Sequence, residues 1–93
     1  MSRYIQINDD KEPAELSSNS GWSQFIDWSE SLDANEYPEI AKLANDGATK
    51  NPQMLADQIE HALKNASPIP DVGRIAETIF SYLDGESGAA TVI

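Results

Sequence analysis

The strongest hydrophobic pattern in the chain lies in residues 20–32, Ser-Gly-Trp-Ser-Gln-Phe-Ile-Asp-Trp-Ser-Glu-Ser-Leu. At about 100° per residue, Trp22, Phe25, Ile26, Ser29 and Leu32 fall on one side, the i, i+3, i+4, i+7 spacing of an amphipathic helix. Trp28 sits at the edge of that stripe, and Ser23, Gln24, Asp27, Glu30 and Ser31 face away from it. A large aromatic side chain buries roughly 150–250 Å². A helix carrying Trp22, Phe25 and Trp28 is therefore the expected centre of the core. Asn19 or Ser20 is its expected cap, and Asp33-Ala34-Asn35 reads as the turn that follows it.

Three more helical stripes come after. Tyr37, Ile40, Leu43 and Ala44 form the second, with Pro38 in the first turn, Glu36 and Glu39 at the positive end of the dipole and Gly47 closing it. Asn51-Pro52 opens the third, whose apolar face is Leu55, Ile59, Ala62, Leu63 and Ala66. Ser67-Pro68-Ile69-Pro70 reads as an extended connector, because each proline disfavours helix in the residue before it. Asp71 is the expected cap of a fourth helix, with the stripe Val72, Ile75, Ala76, Ile79 and Leu83, and Gly85 ends it.

The two ends of the chain change period. Residues 3–7 alternate Arg3, Ile5 and Ile7 on one face with Tyr4 and Gln6 on the other, and β-branched residues at period 2 are the pattern of a short strand. The acidic run at 8–13 ends it. Residues 8–20 hold little apolar content beyond Leu16 and are rich in Ser and Asn, so they read as loop. Residues 89–93, Ala-Ala-Thr-Val-Ile, return to β-favouring types and are expected to pair with residues 3–7. The fold class this implies is mainly α: a compact bundle of about four short helices, with the N- and C-terminal segments forming a small β-ladder, in a single domain over 1–93. The alternative is an all-α bundle with both ends frayed.

Charge narrows the function. Sixteen acids against six bases give a net charge of −10 over 93 residues. Such a surface repels nucleic acid backbones and anionic membranes, so neither is an expected partner. No stretch approaches the ~20 apolar residues of a membrane span. The N-terminal residues lack the apolar run of a signal peptide, which makes a cytoplasmic location the expectation. With no cysteine, the chain has no disulfide, no thiolate metal ligand and no thiol nucleophile.

Little in the sequence points to catalysis, and no cofactor or metal is expected. His61 is the sole histidine and reads as a surface residue on the polar rim of the third helix. A calcium loop counted from Asp33 fails, because Pro38 stands where glycine is required and Ala44 where the bidentate glutamate is required. The glycines never form a phosphate-binding motif. The sequon Asn65-Ala66-Ser67 reads as coincidence in a chain expected to stay inside the cell. Trp22 and Trp28 fit core packing better than a stacking platform for bases, since residues 12–41 contain no Lys or Arg.

Asp27, Glu30, Asp33, Glu36 and Glu39 recur at triplet spacing with no Lys or Arg between residues 27 and 39. The expected function is a small acidic interaction module, of adaptor or immunity type, that docks a basic protein partner through these five residues. The alternative is a homo-oligomeric accessory or structural protein, a homodimer at its simplest, joined through an apolar face or the terminal strands. An enzyme is the least supported class. Salt separates the first two, because screening weakens an electrostatic dock and leaves an apolar dimer intact.

Overall fold

A computed structural model describes residues 2–8 and 11–93 of the chain. Its elements are β1 (Ser2–Ile7), β2 (Ala14–Ser18), α1 (Asn19–Ser31), α2 (Pro38–Asp46), β3 (Ala48–Thr49), α3 (Pro52–Asn65), α4 (Pro70–Leu83) and β4 (Ala90–Val92). All four helical stripes form helices, and the chain ends pair as expected: Ile5 lies opposite Val92, Gln6 opposite Thr91 and Ile7 opposite Ala90. Tyr4 and Ile93 extend that ladder with reciprocal backbone hydrogen bonds of 2.9 and 2.8 Å.

The sheet is larger than a two-stranded ladder. It has four antiparallel strands in the order β2-β1-β4-β3, so the fold combines helices with a sheet and is not a bundle with a minor ribbon. Two segments account for the difference. Residues 14–18, read as loop from their composition, form β2 against β1. Here pairing and burial override the weak strand propensity of Ala, Glu and Ser. Ser17 pairs with Arg3 and Glu15 with Tyr4, which leaves Leu16 between them as the extra residue of a β-bulge. The bulged Leu16 is buried in the core. The second segment is β3, two residues long, which leaves Gly47 at a left-handed φ of 66° and pairs with β4. The acids Asp9 and Asp10 of the run that ends β1 lie outside the described residues.

Sheet and helices share one core. Ile5 and Ile7 point inward from β1 while Tyr4 on the opposite face is 39% exposed, the alternation of a sheet covered on one side. Trp22 and Phe25 of α1 are buried and stacked, with ring centroids 4.9 Å apart and planes 11° from parallel. Val72, Ile75, Ala76, Ile79 and Leu83 of α4 are all buried, and α4 packs against both α1 and α3. Tyr82, also on α4, reaches the sheet: its hydroxyl accepts from the Ile7 amide at 3.2 Å and donates to the Glu12 carbonyl at 2.9 Å.

Helix starts differ in detail from the sequence reading. Ser18, and neither Asn19 nor Ser20, caps α1: its Oγ accepts from the Gly21 amide at 3.2 Å. Asp71 does not cap α4; it sits in the first turn, and Ile69 occupies the cap position with no side-chain hydrogen bond. α2 likewise has no cap of its own. Gln58 of α3 supplies one, its Oε1 accepting from the Glu39 amide at 2.9 Å and more weakly from the Ile40 amide at 3.4 Å. At the far end of α4, Gln53 of α3 accepts from the Gly85 amide and donates to Asp84.

Candidate docking surface

α1 turns its apolar stripe into the core, so its polar residues form an outward ridge. Asp27 and Glu30 are exposed on that ridge, one turn apart. Leu32 ends the helix, and the chain then makes a tight turn around Asp33. The Asp33 carboxylate accepts from the Asn35 amide at 2.9 Å, and its carbonyl accepts from the amides of Glu36 and Tyr37 at 3.0 and 2.9 Å. The turn holds Asp33 and Glu36 at the surface. Among the described residues the ion pairs are Lys11–Glu86, Lys42–Glu39 and Arg74–Asp71, so none engages Asp27, Glu30, Asp33 or Glu36.

Glu39 does not belong with those four. It is 4% exposed, its Oε1 accepts from the Thr49 hydroxyl at 3.1 Å, and Lys42 lies 3.7 Å from Oε2. The Thr49 hydroxyl in turn accepts from the Asn51 amide at 3.1 Å. Glu39 thus joins α2 to β3 and the start of α3, a structural task. The clue was in the sequence: Glu39 stands four residues before Leu43 and so shares its buried face.

Beside the ridge lies an apolar notch that the sequence did not reveal. Gln24, Asp27, Trp28 and Ser31 of α1 form one wall, and Pro68, Ile69 and Val72 the other, around a space of about 360 Å³. The stripe Gln24, Asp27, Trp28, Ser31 has helical spacing, so one face of α1 lines it. Trp28 is held by its indole Nε1, which donates to the Ala66 carbonyl at 2.9 Å, and by a tilted contact with Phe25 at 5.8 Å between centroids. Ile69 is 56% exposed. On the other flank of the ridge, Ser29, Glu30, Leu32, Ala34, Ala41, Ala44 and Asn45 line a smaller hollow of about 230 Å³. The carboxylates of α1 therefore stand between two largely apolar depressions.

Other candidates resolve into structure. His61 is exposed as a residue, yet its Nδ1 lies 2.8 Å from the hydroxyl of buried Tyr37. Burial, and next the negative charge of Glu36, push the Tyr37 hydroxyl above its ordinary pKa. Trp22 is core, only 6% exposed. No group of three or more His, Asp or Glu among the described residues is placed to hold a metal ion. Among the same residues, no helix is long and apolar enough to cross a membrane. No family model, curated protein or solved structure matches the chain.

Proposed function

We propose that this protein is an acidic interaction module that docks a basic protein partner through Asp27, Glu30, Asp33 and Glu36. The observation that carries the reading is that four exposed carboxylates stand together on a helix and its closing turn, with no cation among the described residues paired to them. α1 is anchored by Trp22 and Phe25, so the carboxylates are held in fixed positions before a partner arrives, which lowers the entropy lost on binding. Lys and Arg of the partner supply the missing charge.

The sheet gives less support to assembly through strands. β1 and β4 each have a neighbour on both sides, so neither terminal strand offers an edge to a second copy. The edges are β2, interrupted by its bulge, and β3, only two residues long. Both features blunt edge-to-edge pairing.

The test is partner capture with the double variant Asp27→Lys/Glu30→Lys. Both sites are exposed, so the stability change should stay within about 0.5 kcal/mol. Association with the captured partner should slow and lose its salt dependence, because surface charges act mainly on the association rate. Recovery of the same partners at the same rate and yield would assign these acids to solubility alone.

A further inference from the structure

We infer that the cavity between α2 and β3 binds a small zwitterion, a free α-amino acid, with its ammonium on the carboxylates of Glu39 and Asp46 and its carboxylate on the ammonium groups of Lys42 and Lys50. One wall is the stripe Glu39, Lys42, Asp46 of α2, each residue about a turn from the next. The segment from Ala48 to Lys50 is the other, and the space between is about 310 Å³, at the small end of the roughly 300–1,000 Å³ range of ligand clefts. The site is separate from the docking ridge. The hollow on that ridge's flank is lined from the opposite side of α2, by Ala41, Ala44 and Asn45.

The first observation is an incompletely satisfied buried charge. Glu39 is 4% exposed, and burying a carboxylate is costly unless it is paired and hydrogen-bonded. Its Oε1 accepts from the Thr49 hydroxyl at 3.1 Å. Its Oε2 has only the Lys42 ammonium at 3.7 Å, beyond hydrogen-bond reach, on a side chain that is 60% exposed. A glutamine would serve Thr49 equally well, so the charge and the second oxygen are spare. Every wholly buried side-chain nitrogen or oxygen among the described residues has a hydrogen-bond partner. Oε2 has none, and so keeps its small exposed area on the cavity that Glu39 lines.

The second observation is in the backbone. β3 is an edge strand. Gly47 accepts from the Val92 amide at 2.7 Å, and Thr49 lies opposite Ala90. Bonded pairs alternate along an antiparallel ladder, so Gly47 and Thr49 turn their polar groups toward β4. Ala48, between them, turns its amide and carbonyl to the open edge beside the cavity. One donor and one acceptor are thereby left for a ligand.

The charges select the ligand. Asp46 and Lys50 both line the cavity, yet neither enters an ion pair among the described residues. A simple anion would be repelled by Glu39 and Asp46, and a simple cation by Lys42 and Lys50. A molecule with both signs on one carbon meets neither penalty. Its ammonium donates to Glu39 Oε2 and the Ala48 carbonyl, and its carboxylate accepts from the Ala48 amide and the two lysines, all charge-assisted bonds. Lys42 is a point charge on a flexible stem, free to turn from Oε2 to the ligand carboxylate.

The test is a titration of the whole, ¹⁵N-labelled protein with glycine, L-alanine, L-leucine, L-phenylalanine, L-glutamate and L-lysine at millimolar concentrations, followed by amide chemical shifts. The expected result is saturable shifts centred on residues 46–51 with at least one of them. Affinity should fall at least tenfold for the amide of that amino acid, for its N-acetyl form, and on Glu39→Gln and Lys50→Met. It should be unchanged on Asp27→Lys/Glu30→Lys, which alters only the docking ridge. Glu39→Gln keeps the acceptor for Thr49, and Lys50 is exposed, so a native urea midpoint is expected of both cavity variants; Lys50→Met alone suffices should Glu39→Gln alter the fold. No saturable shift with any of the six would overturn the site. Equal binding of the amide or of the N-acetyl form would overturn the zwitterion. Undiminished binding by Lys50→Met, with shifts elsewhere, would overturn the location. Each of these failures leaves partner capture by the ridge to be decided by its own experiment.

Discussion

Replacing Ile69 with Ser and, separately, with Ala separates what a cap at the start of α4 contributes from what the apolar area covered by the native residue contributes. Pro70 at the first helical position has no N–H, so the free donors at this end begin with Asp71 and Val72, and no side chain of residue 69 reaches them. By analogy with Ser18, whose Oγ accepts from the amide three residues ahead at 3.2 Å, the hydroxyl introduced by Ile69→Ser would accept from the Val72 amide. A cap of this kind contributes about 0.5–2 kcal/mol, typically ~1. Against it stands the apolar area lost. Ile69 is 56% exposed, so less than half of its side chain is covered. Full burial of such a side chain is worth about 1.5–3 kcal/mol, and the covered part therefore about 1 kcal/mol. Ile69→Ala should lower stability by about 1 kcal/mol, whereas Ile69→Ser should stay near the native value because the new cap offsets the loss. The difference between the two variants, about 1 kcal/mol or roughly 4–8 °C in Tm for a domain of this size, isolates the cap. Urea melts followed by far-UV circular dichroism supply the numbers. If the Ser variant is no more stable than the Ala variant, the start of α4 has no use for a cap. A loss above about 3 kcal/mol in both would instead make Ile69 a core residue.

Trp22→Ala removes a buried aromatic stacked on Phe25 and should cost about 3–5 kcal/mol in urea melts, and a loss below about 1 kcal/mol would place Trp22 at the surface. Glu39→Leu strips the Thr49 hydroxyl of its acceptor and should cost about 1–3 kcal/mol, while Glu39→Gln keeps an acceptor oxygen and should stay closer to native; equal stability of the Leu variant and native protein would remove the structural role given to Glu39. The Tyr37 hydroxyl, held above its ordinary pKa of about 10 by burial and then by Glu36, binds its proton more tightly folded than unfolded. Its contribution is therefore complete below about pH 10 and declines as pH rises through the folded value. Native protein should lose stability on that alkaline side more steeply than Tyr37→Phe, and parallel pH profiles for the two would contradict the assignment.

The helices were legible because each carries an apolar stripe strong enough to survive without context. Ile75, Ala76, Ile79 and Leu83 repeat at helical spacing and all proved buried. The pairing of residues 5–7 with 90–92 was legible for a related reason, since β-branched residues with no competing helical period leave few alternatives. β2 was hidden because only Leu16 marks it, and a single apolar residue defines no period. β3 was hidden because two residues cannot. Of the five acids at triplet spacing, four are exposed, and the fifth, Glu39, is buried because its position beside Ile40 and Leu43 places it on the inward face of α2. The notch could not be read at all: it joins residues 24–31 to residues 68–72, a contact that exists only once α1 has packed on α4.

The two glutamine side chains on α3 bear on how the molecule comes apart. Gln58 closes the open start of α2 and Gln53 holds the segment just past the end of α4, so each neighbour has a backbone amide that depends on a side chain of α3. A nine-residue helix such as α2 is too short to persist in water unaided. When α3 detaches, α2 loses its cap and α4 its terminal tie in the same event, and partial opening that spares one of the three is disfavoured. α2, α3 and α4 thus form one opening unit. α1 is tied to the same helix, because the Trp28 indole donates to the Ala66 carbonyl at the end of α3, so the helix that carries the exposed carboxylates loses a contact in that event too.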